Sequence, residues 1–247
     1  MLRLLKQLRS NKLKSHQYIK YAIGEILLVM VGILLAVQVN NLNESRKNRK
    51  EERLILKGIL KEFESNKKEL EITILRNTEI ADALEIMYGQ TGKKWDGSLT
   101  RKASDSLSLN MTGYVLPAIG TAYLDDILTT GKILIIQNKD LQYELAKWPK
   151  ELDDHANETE ALVGNFMNQQ SIPFMIKHYA MNVGRISKYF QESSGFDLDY
   201  RAVYQMTEFE NLILFRANMA FYANEENQIL LDETNKIISL IQIELKK

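Results

Sequence analysis

The chain has 247 residues, enough for one or two domains with cores of their own, so it is not a bare membrane peptide. Its 32 basic and 32 acidic residues cancel, which removes the positive excess expected of a nucleic-acid binder. Cysteine is absent, which excludes disulfides, thiolate metal sites, iron–sulfur clusters and a cysteine nucleophile.

Residues 1–20 carry Arg3, Lys6, Arg9, Lys12, Lys14 and Lys20 without a single acid, so the charge is unevenly divided. Leu4, Leu5 and Leu8 fall on one helical face among these cations. That spacing suits an interfacial helix on anionic lipid, although a plain topogenic tail has the same composition.

Residues 21–39 read as a transmembrane helix. From Ala22 to Val39, only Glu25 and Gln38 are strongly polar and eleven residues are Ile, Leu or Val. Those eleven favour insertion by roughly 3–7 kcal/mol, against at most ~3 kcal/mol for Glu25 one turn from the end. A buried core helix is the weaker reading, because eighteen residues apolar on every face are rare inside a domain of this size. No small-x-small pair closes the run, so an uncleaved signal anchor is expected and not a cleaved signal peptide.

Orientation is not decided by counting, because Arg46, Lys47, Arg49, Lys50, Arg53 and Lys57 match the six cations upstream. A short, uncompensated basic tail resists translocation, whereas a long domain crosses largely regardless of charge. The N-terminus is therefore expected in the cytoplasm and the large domain outside it.

Within the anchor, Glu25, Val29, Gly32, Ala36 and Asn40 share one face, with Gly32 and Ala36 at small-xxx-small spacing. This stripe is a candidate interface for a second copy or another membrane helix. Alternatively, Glu25 reaches back to Lys20 and the headgroups, and Gly32 is incidental.

The chain has three prolines, Pro117, Pro149 and Pro173, so a helix can leave the bilayer and continue through residues 40–88. Steps of four and three from Leu56 give Leu60, Phe63, Lys67, Leu70, Ile74, Asn77, Ala81, Leu84 and Tyr88, a heptad seam with two polar interruptions. An intramolecular bundle is favoured over a coiled coil between copies, because a long C-terminal helix is available to receive the seam.

Gly89, Gly92 and Gly97 surround Trp95 in the first loop, and residues 102–111 read as a short helix. Residues 121–130 form a helix stopped at Gly131, followed by an apolar connector through Ile133, Leu134, Ile135 and Ile136 and a new N-cap at Asn138 or Asp140. Residues 141–170 are helical, with Pro149 kinking or dividing them and Glu144, Lys147, Lys150 and Glu151 on a solvated face. After an irregular stretch at 191–200, Thr207 and Glu210 are spaced as a capping box for a last helix. Its expected core stripe is Leu212, Phe215, Met219, Tyr222, Ile229, Leu230, Ile237 and Ile241. Residues 89–247 thus complete an all-α bundle begun by 40–88.

The sequence offers little for catalysis. His155 lies among Asp153, Asp154, Glu158 and Glu160, and a helix would bring it near Glu158 as two possible metal ligands, but no second histidine follows at i+4, so a solvated charged face is expected. His16 sits in the basic tail, and His178 beside Tyr179 reads as a surface or packed residue. Asp125 and Asp126 are a carboxylate pair of a kind that helices carry routinely. With no phosphate loop, dinucleotide fingerprint, nucleophile elbow or HExxH motif, neither an enzyme nor a cofactor is expected.

One segment is familiar. Tyr21-Ala22-Ile23-Gly24-Glu25-Ile26, then Gly32-Ile33-Leu34, then Gln38-Val39-Asn40-Asn41-Leu42-Asn43-Glu44 with Arg46-Lys47, resembles the anchor signature of a family of uncharacterised single-pass membrane proteins of Bacteroidota. The likeness is specific over about thirty residues, with Leu42 where that family often has Trp, and a looser likeness runs through Ala122-Tyr123, Gly131 and 134–141. The resemblance implies a bacterial inner-membrane protein and supplies no catalytic residue. A membrane-anchored interaction or sensory module is the leading expectation, with a structural spacer or assembly subunit as the alternative and an enzyme with an unrecognised site behind both.

Overall fold

The structure, a computed structural model, describes the backbone of residues 2–179, 196 and 199–247, and the side chains of 23–155, 157–179, 196 and 199–247. Every regular element among these residues is helical: α1 (Leu2–Tyr88), α2 (Arg101–Ser108), α3 (Ala122–Thr129), α4 (Lys139–Phe166), α5 (Ile172–His178), α6 (Arg201–Tyr204) and α7 (Thr207–Lys246). The chain divides into two compact units, Met1–Leu54 and Ile55–Lys247. The irregular stretch expected at 191–200 lies mostly outside the described residues.

In the first unit α1 is an isolated helix. It holds the one stretch among the described residues that is long and apolar enough to cross a membrane. Near the end of the unit Arg49 pairs with Glu52 one turn on.

The second unit is a helical bundle in which α7 runs antiparallel to both α1 and α4. Leu56, Ile59, Phe63 and Leu70 of α1 share a core with Leu230, Ile237 and Ile241 of α7, together with Leu124, Leu141, Leu145 and Trp148. Further along α1, Ile80, Leu84 and Met87 meet Phe209, Ile213 and Ala220 near the start of α7, with Phe174, Val203 and Tyr204. The Phe63 and Trp148 rings meet at 5.2 Å between centroids and tie α1 to α4.

The register of the α1 seam differs from the expected one. Leu56, Phe63, Leu70, Asn77 and Leu84 are buried as expected, but the alternate positions are Ile59, Asn66, Thr73, Ile80 and Met87. Leu60, Lys67, Ile74, Ala81 and Tyr88, one residue further on, are only half-buried. A search for apolar residues passes over Asn66 and Thr73 and so chooses the neighbouring row. Asn66 earns its place by hydrogen bonding: its Nδ2 donates to Gly120 O at 2.8 Å and its Oδ1 accepts from Gly120 N at 2.9 Å.

The same substitution of kind occurs on α7. Its buried row includes Arg216, Ala220, Ala223, Asn227 and Thr234, whereas Phe215 and Ile229, expected in the core, are exposed. Thr207 does not cap α7, and Glu210 does not reach back to form a capping box. Its carboxylate instead accepts from Lys94 Nζ at 2.6 Å and Thr91 Oγ1 at 3.1 Å, and these partners hold its pKa below the ordinary value. A charge-assisted bond to the 92–94 turn wins over a bond to the helix's own backbone.

The connections follow local chemistry more closely. Gly131 adopts φ 72° just past α3, a conformation costly for residues with a Cβ, and Asn138 caps α4 by accepting from Leu141 N at 3.0 Å. Between them, Lys132–Ile135 forms a short 3-10 turn that buries Ile136 but leaves Leu134 exposed, so the connector is not buried throughout. Pro149 neither divides nor ends α4. A π-helical turn at Met167–Ser171 leads from α4 to α5 just before Pro173, whose missing N–H and bulky ring disfavour continued α-helical bonding. Glu144 and Lys147 are not simply solvated: they pair with Lys236 at 2.7 Å and Glu233 at 3.3 Å across to α7.

Candidate functional site

Two places depart from what a soluble helical bundle requires. In the first unit, the large apolar side chains of residues 23–39 are all exposed, from Val37 at 50% to Leu28 at 75%. Glu25, Val29, Gly32, Ala36 and Asn40 of the expected interface are exposed as well, and a methyl added at Gly32 would meet nothing within 4 Å. That geometry leaves the stripe open to a neighbour. The side chains of Arg3, Lys6, Arg9, Lys12, Lys14 and Lys20 lie outside the described residues, while the backbone around them is helical.

The second place is a cavity of about 210 Å³ in the bundle, between α4, α7 and the loop that precedes α3. Leu152, His155 and Thr159 lie on one face of α4, and Glu226, Asn227 and Leu230 face them from α7. Leu116, Pro117 and Ile119 form the third wall, and Glu160 stands at the rim.

The wall formed by the loop is held at both ends. Arg216, almost wholly buried, donates from Nη2 to Gly113 O at 3.0 Å and from Nε to Asn110 O at 3.2 Å. Burial pulls its pKa down to about 10. At the other end Asn66 clamps Gly120, and Glu62 accepts from Tyr123 N at 2.8 Å and Leu124 N at 3.0 Å. A carboxylate there satisfies two otherwise unpaired donors at the start of α3 and opposes the positive end of its dipole. Gly58 lets the Tyr123 ring lie against α1, since a methyl at this position would overlap that ring.

His155 bonds through Nδ1 to Glu226 on α7, so it does not belong to the solvated charged face that its acidic neighbours suggest. The side chains of Thr159 and Asn227 are each 3% exposed, and Thr159 Oγ1 and Asn227 Nδ2 have no hydrogen-bond partner. Buried polar atoms without partners are uncommon in folded chains and mark strain, bound water or a ligand position. Both atoms are sealed from the cavity space, each with under 1 Å² of accessible surface.

The other titratable groups singled out in the sequence are structural in their geometry. Asp125 accepts from Thr121 Oγ1 at 2.8 Å on the surface of α3, and Asp126 lies 4.0 Å from Lys132. His178 packs on Phe174 with ring centroids 4.7 Å apart. Among the described residues no three His, Asp or Glu side chains converge as a metal site would require.

The sequence alone does not reveal the cavity, because its polar groups come from segments some seventy residues apart. One signal was present: Asn227 and Thr234 interrupt an apolar period on α7, which marks them as either exposed or buried for a reason. Compared with known families, with curated proteins and with solved structures, the chain matches none.

Proposed function

We propose that this chain is a single-pass membrane protein whose helical bundle serves as an interaction or sensory module held at the bilayer surface. The observation that supports this most is the continuous exposure of the apolar side chains of residues 23–39 on every face of α1. Such a surface is unfavourable in water by about 25 cal/mol per Å² and is at ease only in hydrocarbon. At 1.5 Å per residue the nineteen residues of the expected span extend about 28 Å, close to the thickness of a bilayer core.

The bundle is the part available for recognition. Its cavity, with Leu116, Pro117 and Ile119 facing side chains of α4 and α7, supports a ligand-binding role. The resemblance of the anchor to the Bacteroidota family favours a bacterial inner membrane, and the uncompensated tail favours a cytoplasmic N-terminus with the bundle in the periplasm. The length of α1, 87 residues, gives a spacer or assembly subunit its own support.

Reporter fusions after Lys247 test the placement. A reporter active only outside the cytoplasm should be active, and one active only inside should not. The reverse pattern would place the bundle in the cytoplasm and remove a periplasmic ligand from consideration.

A further inference from the structure

We propose that a groove between α1 and α7, on the surface of the second unit, receives a basic amphipathic helix of another protein. The inference rests on reading the bundle as an interaction module and goes beyond it by naming the surface and the chemistry of the partner.

The groove has a volume of about 340 Å³, and its lining includes Ala81 and Leu84 of α1 and Ile213 and Ala217 of α7. Leu84 and Ile213 belong to the core, and the two alanines are too short to close the space above them. Large apolar side chains stand in solvent along both banks: Leu214 is 43% exposed and Phe221 60% on α7, with Leu75 at 60% and Ile86 at 55% on α1. Exposed apolar patches of this kind mark docking surfaces. α4 does not cover them, because it pairs with Glu226 and Glu233, about a third of a turn round α7 from Phe221 and Leu214. The lining runs from Thr78 to Tyr88 on one helix and from Ile213 to Asn224 on the other, which at 1.5 Å per residue is room for about three turns of a third helix.

Charge decides the sign of the partner. Asp82 and Glu85 line the α1 bank, both exposed, and the lining holds no lysine or arginine among the described residues. The surrounding sequence keeps the same sign: no base lies between Arg76 and Lys93, and from Thr207 to Asn235 the one base is Arg216, buried and bonded to carbonyls. Glu79 and Glu225 add exposed carboxylates on these stretches. A helix with an apolar stripe for the alanine floor and lysines or arginines beside it would complement both features. A second copy of this face would set acid against acid, and anionic lipid would be repelled in the same way.

The test is fluorescence anisotropy of labelled peptides of about four turns with the full chain in neutral dodecyl maltoside micelles, read against micelles alone. One peptide carries Leu at i, i+3, i+4 and i+7 with Lys elsewhere, the second replaces Lys by Glu, and the third scrambles the leucines of the first off a single face. The Lys peptide should bind, and the other two should bind at least about tenfold more weakly. Asp82→Lys with Glu85→Lys should reverse the preference between the Lys and Glu peptides. Glu64→Lys with Glu160→Lys, the same change of charge at exposed positions outside the groove, should leave it as it was. Phe221→Ser should weaken the Lys peptide about tenfold with the helical circular dichroism unchanged, since the ring it removes is exposed. Equal binding of the Lys and Glu peptides, equal binding of the scrambled one, no binding by any of them, or a preference that the Asp82 and Glu85 variant does not reverse would overturn the proposal. A dimer in light scattering that Phe221→Ser abolishes would give the groove to a second copy and overturn it as well. None of these outcomes bears on the reporter fusions, so failure of the groove is separable from failure of the membrane reading.

Discussion

Residues 23–39 and the buried row of the bundle invert each other. In the first, Leu, Ile and Val face outward on all sides, while in the second Asn66, Thr73, Asn77, Arg216, Asn227 and Thr234 are turned inward. A single rule of apolar inside and polar outside fails in the first and is incomplete in the second. In 23–39 the backbone is satisfied within the helix, as a hydrocarbon solvent would require, and the exposed apolar side chains make the segment a candidate membrane span. In the bundle, several polar side chains are placed where another segment's backbone lacks a partner, as Asn66 does for Gly120 and Arg216 for Gly113. Burial of a polar group is tolerable when its bonds are made, so these residues fix which loop lies on which helix.

The largest expected effect is at the anchor. Replacing Leu28 and Leu34 together by Arg should cost about 6–8 kcal/mol of insertion free energy, enough to cancel the favourable contribution of the span. Membrane fractionation should then find the variant outside the bilayer fraction after alkaline extraction, whereas Leu28→Ile with Leu34→Ile should remain in it. Retention of the double-Arg variant would mean that the segment is held by protein and not by lipid.

In the bundle the expected effect is smaller and tests the register. Asn66→Leu leaves the Gly120 N–H and C=O without their partner and should cost about 2–3 kcal/mol in chemical unfolding. Lys67→Ala, one residue on, should change stability by no more than about 0.5 kcal/mol. Equal effects at the two positions would restore the row through Lys67 that the apolar pattern favours.

The last expected effect, spread over two pH units, is a pH dependence in the second cluster of the bundle. Tyr204 is fully buried with its hydroxyl 3.0 Å from Ser104 Oγ, and burial pushes its pKa up to about 12. The unfolded chain gives up this proton from about pH 10, so the contribution is whole below pH 10 and is lost as pH rises towards 12. Tyr204→Phe should therefore flatten the alkaline fall in stability by up to about 1.4 kcal/mol per pH unit between pH 10 and 12. An unchanged slope would assign the alkaline loss elsewhere, with Tyr179 next, since burial raises its pKa too.

The all-α fold, the long first helix, the stop at Gly131 and the cap at Asn138 were legible in the sequence because each depends on neighbours in the chain. The apolar period of α1 was legible too, but not its phase, because the choice between Lys67 and Asn66 turns on Gly120, fifty-four residues away. Glu210 shows the same limit: its spacing from Thr207 fits a capping box, and only the fold brings Lys94 close enough to claim it. The cavity was the least legible feature, since its two polar sides come from α4 and α7 and its third wall from a loop pinned by Asn66 and Arg216.

The most direct test of two solvents along one helix is spin-label accessibility scanned residue by residue through α1. The natural chain has no cysteine, so each introduced label reports one position. Labels at 23–39 should relax strongly with oxygen, which enriches in lipid, and weakly with a water-soluble nickel complex, with no dependence on helix face. Beyond residue 55, nickel accessibility should oscillate with minima at 56, 59, 63, 66, 70, 73, 77, 80, 84 and 87. Nickel access throughout 23–39, or minima at 60, 67, 74 and 81 instead, would contradict the account.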